Sequence, residues 1–328
     1  MTDRDRPLRR RAFLRVAAAA TALPMLPRLA AALDYPSRTV RIVCGFVAGQ
    51  IPDVAARMIA QALSARLGQQ FIVDNRPGAG TNIATEMVAH ADADGYALLV
   101  LTSSNATNAT LYSNLKFDLL RDFAPVATTF RSALVLEVNP ALPVKTTAEF
   151  IAYARVNPGK INYASPGVGT LPHVAGELFR AMTGVDIVHV PYRNAYLPDL
   201  LGGQVQAAFS PISTSLDFIA QGKLRALGVT SEARANVLRD VPALAEAVPG
   251  YAAYIWDAIA APKATPAETV ATLNREINGV LADPTMRARL IALGAEPLVM
   301  SVADTAQFVA DETEKWGKVI RNAGIKAE

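Results

Sequence analysis

The sequence contains little of what disulfide scaffolds, metal centres and membrane spans require. It has a single cysteine, Cys44, so no internal disulfide can form and the fold is not stapled, although an oxidising compartment would be tolerated. The three histidines, His90, His173 and His189, are scattered without the spacing of metal ligands. After the N-terminal segment, no apolar stretch approaches the roughly 20 residues that a membrane span needs. We therefore predict a soluble mature chain without a metal or another cofactor.

Signals for nucleotide and nucleic-acid binding are also missing. No glycine loop carries Gly-Lys-Ser/Thr, and Gly167-x-Gly169 lacks the third glycine of a dinucleotide fingerprint. The net charge of +3 is a property of the N-terminus, because residues 1–32 hold seven Arg and two Asp, and the rest of the chain carries −2. The basic pI therefore does not indicate a nucleic-acid partner.

The N-terminal segment has the order of a secretory signal peptide. A basic run at residues 9–15 precedes an apolar, alanine-rich stretch at 16–23, and Ala30-Ala31-Ala32 offers a small-residue cleavage pattern. The pair Arg10-Arg11 is similar to a twin-arginine export signal. Because Pro24 and Pro27 interrupt the apolar stretch too early for a membrane anchor, we predict that residues 1–32 are a signal peptide and that the mature protein is periplasmic.

The rest of the chain alternates short apolar runs with amphipathic segments, which is typical of an α/β sheet with right-handed crossovers. The alternation restarts after about residue 132, so the chain contains two α/β units, either independent domains or two lobes around a cleft. The C-terminal helices have no strand set of their own and are expected to pack on the sheet of the first unit. The predicted strands are 39–44, 71–73, 97–101, 160–164, 187–190 and 224–229, and the predicted helices are 53–67, 172–182, 270–281 and 305–319.

Two glycine-containing loops, at residues 45–53 and 165–173, connect a strand to a helix. Ligands of open α/β sheets bind beyond the carboxyl ends of the strands, and helix N-termini offer unpaired N–H groups to an anion. Pro52 and Pro172 fall in the first helical turn, where proline removes no needed hydrogen bond. Two such loops facing each other would hold an anion without a basic side chain. The alternative is that both are turns that merely start helices.

Other chemistry-bearing residues have simpler explanations. Ser165, His173 and Asp199 could form a hydrolase triad, but Ser165 does not lie in a Gly-x-Ser-x-Gly elbow. Cys44 is interpreted as a small buried hydrophobe. Asp53 either supports a helix start or contacts a ligand. Trp256 and Trp316 are predicted to be core residues, and no catalytic residue is predicted.

The chain resembles the Bug-type (tricarboxylate-transporter) periplasmic solute-binding proteins over almost its whole mature length. The resemblance is carried by motifs in matching order along the sequence. They include Tyr35-Pro36-Ser37-Arg38, Asp74-Asn75-Arg76-Pro77-Gly78-Ala79-Gly80, Asp94-Gly95-Tyr96, Asp122-Phe123-Ala124-Pro125-Val126, Pro158-Gly159-Lys160-Ile161-Asn162-Tyr163-Ala164-Ser165, His189-Val190-Pro191-Tyr192-Arg193, Leu200-Leu201-Gly202-Gly203-Gln204-Val205 and Trp316-Gly317-Lys318-Val319-Ile320.

The resemblance implies a two-lobed periplasmic-binding-protein fold (type 2, Venus flytrap), with a mixed sheet and flanking helices in each lobe. Lobe 1 would comprise 33–131 plus 254–328, and lobe 2 would comprise 132–253. The implied ligand is a small organic carboxylate, and the implied partner of the monomer is a two-component membrane permease. The predicted ligand-binding residues are Phe46, Gln50, Asp53, Ser104, Asn105, Ser165, Gly167, Gly169, Thr170, His173 and Arg193.

Two segments depart from the pattern of this family. The family's first loop usually contains Gly-Gly-x-Ser/Thr-Asp. In this chain Gln50 replaces the second glycine of that motif, and Pro52 replaces the Ser or Thr. The segment at 194–198 is about two residues shorter than usual. We hypothesise that Tyr196 in this shortened segment shapes a pocket for a flatter or more apolar ligand.

The sequence therefore predicts a periplasmic receptor that closes around a small carboxylate and delivers it to a permease. One alternative is a receptor that reports its ligand to a membrane sensor kinase. The other is an exported serine hydrolase that uses Ser165 and His173.

Overall fold

The computed structural model describes residues 35–192 and 195–327. The predicted signal peptide at 1–32 and the predicted site residue Arg193 lie outside the described residues. Within these residues, no helix combines the length and the apolar character that crossing a membrane requires.

Strands and helices alternate along the chain. The strands are β1 (Val40–Cys44), β2 (Phe71–Asn75), β3 (Ala97–Thr102), β4 (Phe123–Val138), β5 (Ile161–Ser165), β6 (Ile187–Pro191), β7 (Ala207–Pro211), β8 (Arg225–Val229), β9 (Tyr254–Pro262) and β10 (Glu296–Pro297). The helices are α1 (Ile51–Leu67), α2 (Asn82–Ala89), α3 (Ser103–Leu111), α4 (Thr147–Val156), α5 (Leu171–Thr183), α6 (Leu197–Gly202), α7 (Ile212–Ala220), α8 (Ala267–Ala282), α9 (Pro284–Ala292) and α10 (Val302–Asn322).

The strands form one mixed, curled sheet in the order β2-β1-β3-β9-β4-β7-β5-β6, with β8 and β10 also pairing with β4. Parallel pairs lie at the two ends of this order, β1 with β2 and β3, and β5 with β6 and β7. The long strand β4 joins the two halves, because residues 123–133 pair with β9 and residues 134–138 pair with β7. This is the two-lobed α/β architecture that the sequence predicts. The lobe boundaries at 131/132 and 253/254 stay a prediction.

The C-terminal helix α10 packs against the sheet through two tryptophans. The side chains of Trp256 on β9 and Trp316 on α10 are fully buried, and both donate their ring N–H to Oε2 of Glu312, over 2.9 and 2.8 Å. A buried Trp needs a partner for its N–H, and one carboxylate oxygen supplies both. The prediction that both tryptophans are core residues is confirmed, and helix α10 packs on the sheet as expected. Among the described residues after β9, the two-residue strand β10 is the one strand, and it pairs with β4.

Candidate functional site

A cavity of about 300 Å³ lies where the carboxyl ends of β1, β2, β3 and β5 meet. Four segments line it, the loop after β1, the loop after β2, helix α3, and the loop after β5. None of the described lining residues carries a charge. They are Gly45, Phe46, Val47, Gln50, Pro77, Gly78, Gly80, Thr81, Ser104, Asn108, Leu111, Tyr112, Val168, Gly169 and Thr170. Larger grooves lie along α5 and α10 and beside the C-terminal residues, but those two are not formed by strand ends.

The loop after β1 is anchored by Asp53 from behind the cavity. Its Oδ2 accepts from the backbone N–H of Gly49 over 2.8 Å, and its Oδ1 accepts from Arg57 Nε and Asn75 Nδ2 over 2.9 and 2.8 Å. The Asn75 amide also donates to the carbonyl of Phe46 over 3.0 Å. Burial alone would raise the pKa of Asp53, but these hydrogen bonds outweigh it and hold the pKa below its ordinary value. Asp53 therefore orients the loop and does not line the cavity.

Asp53→Asn should lower the stability of the protein. The two carboxylate oxygens of Asp53 accept three hydrogen bonds, and in asparagine one of these oxygens is replaced by an NH2 group, which cannot accept. We expect a loss of about 1–2 kcal/mol in the free energy of unfolding, measured by urea denaturation. Asp311→Asn, which affects an exposed carboxylate paired with Gln307, is the matched control and should change stability by less than about 0.5 kcal/mol. Equal effects of the two substitutions would contradict the anchoring role.

The loop after β5 is held by two stacked histidines. The backbone N–H of Gly169 donates to Nδ1 of His173 over 3.0 Å, and the His173 ring stacks on His189 with 3.6 Å between ring centroids and 8° between planes. Ser165 Oγ lies 2.6 Å from His189 Nε2 and accepts from the backbone N–H of Gly167 over 3.1 Å. The loop therefore rests on a connected set of neutral polar groups.

Both histidines are neutral near pH 7. Burial, together with the charge of Arg180, lowers the pKa of His173 to about 4. Burial and the neighbouring His173 lower the pKa of His189 to about 3. A neutral His173 whose Nδ1 accepts from a backbone N–H carries its proton on Nε2. The ring therefore acts as a fixed acceptor beneath the Gly169 backbone.

The structure does not assemble the proposed hydrolase residues. Ser165 meets His189 rather than His173, and Asp199 accepts a hydrogen bond from the Tyr192 hydroxyl over 2.8 Å. Within the described residues, neither histidine ring is hydrogen-bonded to a carboxylate that would orient it as a general base. Cys44 is fully buried, and burial raises its pKa to about 11, so its thiol is no nucleophile near pH 7.

The predicted site residues fall into two groups. Phe46, Gln50, Ser104, Gly169 and Thr170 line the cavity. Asp53, Asn105, Ser165, Gly167 and His173 lie behind it and fix the loops and α3 through hydrogen bonds. That any of them contacts a ligand stays a prediction. No group of three or more potential metal-ligating side chains occurs among the described residues.

The hypothesis about Tyr196 does not agree with the structure. Its ring is 8% exposed and belongs to a hydrophobic cluster with Leu200, Val205 and Leu224. Its hydroxyl donates to Ser210 Oγ over 2.7 Å, so the side chain points into the protein and does not line the cavity. The ring is buried because the apolar residues of α6 and β7 surround it.

Two lining segments were not among the predicted site residues. The loop after β2 contributes Pro77, Gly78, Gly80 and Thr81, and the far end of α3 contributes Asn108, Leu111 and Tyr112. The first could have been found, because it follows a strand parallel to β1 and must therefore open on the same edge. The second has a weaker signal, namely the run of Ser, Asn and Thr residues in a helix that is largely buried.

A single mixed sheet whose long strand β4 joins two halves, with an uncharged cavity at the strand ends, is typical of solute-binding proteins of the periplasmic type. Residues 55–325 match the model of the "Tripartite tricarboxylate transporter family receptor", and the chain belongs to this family. It is 36% identical over 297 residues to protein BugT of Bordetella pertussis, covering 89% of this chain and 91% of BugT.

Solved structures agree with this assignment. The chain is similar to a Rhodopseudomonas palustris protein solved with adipate, with a TM-score of 0.77, 37% identity, and coverage of 89% of this chain and 99% of that one. It is also similar to MatC from the same organism, solved with bound malate, with a TM-score of 0.72, 31% identity, and coverage of 87% and 100%. The periplasmic binding protein BugD gives a TM-score of 0.73 at 31% identity, with coverage of 90% and 100%.

Proposed function

We propose that this chain captures a small organic carboxylate in the 300 Å³ cavity and presents it to a membrane permease. The observation that carries the proposal is the convergence of three helix N-termini on a cavity without charged lining residues. Gln50 is the N-cap of α1, Ser104 lies in the first turn of α3, and Thr170 is the N-cap of α5. Unpaired N–H groups and the helix dipole favour an anion at such a point.

The energetics require more than the helix termini. Each terminus contributes typically about 0.3–1 kcal/mol, whereas micromolar affinity requires roughly 8 kcal/mol. The neutral polar side chains of Gln50 and Ser104 can donate direct hydrogen bonds, and exclusion of water from the cavity strengthens each of them. The Thr170 hydroxyl donates to the Gly167 carbonyl over 2.7 Å and so holds the loop after β5 in place. The apolar side chains of Phe46 and Leu111 can contact the hydrocarbon part of the ligand. The cavity volume is at the lower end of the range of about 300–1,000 Å³ for small-molecule sites, which favours short carboxylates.

The other parts of the proposal follow from the family. Residues 1–32 would direct export, and the mature protein would act as a monomer in the periplasm, with lobes at 33–131 plus 254–328 and at 132–253. Adipate and malate, the ligands of two relatives solved with them, set the size range for this chain's ligand. Binding without turnover is the expected behaviour, so the protein would act as a receptor and not as an enzyme.

A thermal-shift screen with adipate, malate and citrate tests the proposal, with adipamide as the uncharged control of the same length as adipate. A ligand at a hundred times its Kd stabilises the folded state by about 2.7 kcal/mol, which corresponds to a rise in Tm of roughly 5 °C for a chain of this size. We expect such a shift for at least one carboxylate and none for adipamide. An equal shift with adipamide, or none with any carboxylate, would contradict the proposal.

A further inference from the structure

The loop after β2 contains a strained residue in the wall of the cavity. Ala79, Gly80 and Thr81 have consecutive φ angles of 47°, 62° and 83°. Left-handed backbone is ordinary for glycine, but it is an outlier for a β-branched residue such as threonine. Such strain persists only where the surroundings hold it in place, and it concentrates at functional sites.

Several hydrogen bonds and one close contact hold this turn. The Thr81 carbonyl accepts from Thr85 Oγ1 over 3.0 Å, and the Gly80 carbonyl accepts from Asn108 Nδ2 over 2.6 Å. A methyl group added to Gly45 would lie only 2.6 Å from Thr81 Cβ, so the glycine of the neighbouring loop leaves the space that Thr81 occupies. The side chain of Thr81 is thereby fixed against the first loop, at the edge of the cavity.

The orientation of the Asn105 amide determines what the Thr81 hydroxyl can do. Asn105 Oδ1 accepts from the backbone N–H of Thr102 over 2.8 Å, and because a backbone N–H can only donate, the oxygen must lie on that side. The amide nitrogen therefore faces the loop after β2. It donates one hydrogen to Thr81 Oγ1 over 3.1 Å and the other to Thr85 Oγ1 over 2.7 Å.

The hydrogen of the Thr81 hydroxyl then remains to be placed. Thr85 donates its own hydroxyl hydrogen to the Thr81 carbonyl and so receives the Asn105 bond as an acceptor. Thr81 Oγ1 is likewise an acceptor toward Asn105, so the Thr81 hydrogen must go to another group. No acceptor for it is found within the part of the chain that the structure describes, and the side chain borders the cavity. The hydroxyl hydrogen is therefore free to be donated to an acceptor inside the cavity.

We infer that Thr81 is a specificity-determining residue that donates a hydrogen bond to an acceptor oxygen, of the carboxylate class, on the ligand. This inference rests on the function proposed above and adds the ligand group that the β2 loop recognises. A group that can only donate, such as an ammonium, does not satisfy Thr81 at this wall. The strained backbone is retained because it aims the hydroxyl at this point.

Three substitutions separate the hydroxyl from the shape of the side chain. Thr81→Val keeps the β-branched shape and removes the hydroxyl, which is both the proposed donor and the acceptor of the Asn105 bond. Thr81→Ser keeps both roles of the hydroxyl, and Thr81→Gly removes the hydroxyl together with the strain. The affinity is measured by titration calorimetry with adipate, or with malate if adipate gives no heat. Kd should be about tenfold higher for Thr81→Val than for wild type, because one hydrogen bond to a charged acceptor is lost. Thr81→Ser should bind within about threefold of wild type. Thr81→Gly should bind as weakly as Thr81→Val, because it also lacks the hydroxyl although its backbone is free of strain.

A buried hydroxyl outside the site provides the matched control. Thr183 donates to the Phe179 carbonyl over 2.6 Å at the end of α5, so Thr183→Val should leave Kd unchanged. Equal affinities of Thr81→Val and wild type would overturn the inference, and so would a Thr81→Ser variant as weak as Thr81→Val. If wild type binds neither adipate nor malate nor any carboxylate of the screen, the proposed function fails, which is a different result from a failure of the Thr81 donor alone.

Discussion

Gly169→Ala is expected to weaken the binding of the proposed carboxylate ligand roughly 30-fold. Gly169 lies in the loop after β5 and has a φ of 77°, and a methyl group built on it would lie 2.2 Å from Leu111 Cδ2, at the end of α3. The two residues belong to different walls of the cavity, so their contact defines how closely these walls approach. Overpacking of this kind costs typically about 1–3 kcal/mol, and 1.4 kcal/mol is a tenfold change in affinity.

The double variant Gly169→Ala with Leu111→Ala distinguishes this clash from backbone strain. Removing the Leu111 side chain makes room for the methyl group, so we expect Kd to recover to within about fivefold of the value for Leu111→Ala alone. Gly184→Ala is the control for strain, since Gly184 has a φ of 69° and no neighbouring atom within 4 Å of the added methyl group. It should lower stability by about 1 kcal/mol and leave Kd unchanged. A double variant that binds the ligand as weakly as Gly169→Ala alone would contradict the steric explanation.

Much of the fold could be predicted because its local signals agree with its global architecture. The strands from β1 to β3 and the helices α1 and α5 occur within about three residues of their predicted positions, since short apolar runs between glycine-rich turns fit strands buried on both faces. The long strand β4 could not be predicted as one element. It contains Pro125, Arg131 and Ser132, and its pairing with β9 and with β7 is decided by contacts between residues that are about 70 or more positions apart in the sequence.

The candidate site was only partly predictable for the same reason. The rule that ligands bind at strand carboxyl ends identified two of the four lining segments. Which histidine meets Ser165 depends on the register of the sheet. In the pairing of β5 with β6, Tyr163 lies opposite His189, and this register places Ser165 beside His189. The side-chain network of Asn105 and Asn108 joins α3 to a loop more than 20 residues earlier, and no local pattern encodes that distance. The periodicity of apolar residues predicts where strands and helices lie, whereas the pairing of the strands decides which polar side chains come into contact.

The buried carboxyl group of Glu137 should make the stability of the protein depend strongly on pH. Glu137 lies on β4 with no exposed surface, and its Oε1 accepts from the hydroxyls of Ser210 and Ser215 over 2.5 and 2.8 Å. Its Oε2 has no hydrogen-bond partner. Burial raises the pKa of Glu137 to about 7 from an ordinary value of 4.5, and the two hydroxyl bonds only partly oppose this effect.

The direction of the pH dependence follows from the two pKa values. Below pH 4.5 the carboxyl group is protonated in both the folded and the unfolded chain and has no effect on the pH dependence. Between pH 4.5 and about 7 the unfolded chain releases the proton while the folded chain retains it, so stability falls as the pH rises, by up to about 1.4 kcal/mol per pH unit. Above this range the full loss, on the order of 3 kcal/mol, is present.

Glu137→Gln should therefore be more stable than wild type by about 3 kcal/mol at pH 8 and about equal to it at pH 4, because the amide oxygen still accepts from both serines and carries no charge. Urea denaturation at both pH values measures the difference. Other buried groups, such as Asp257, whose pKa is raised by burial, and His173, titrate alike in both proteins and cancel when the two are compared. The exposed Glu268→Gln control should differ from wild type by no more than about 0.5 kcal/mol at either pH.

Only a group that changes its proton occupancy on unfolding can make the stability difference between variant and wild type depend on pH. If Glu137→Gln is more stable than wild type by the same amount at pH 4 and at pH 8, the Glu137 carboxyl group is therefore not the source of the pH dependence.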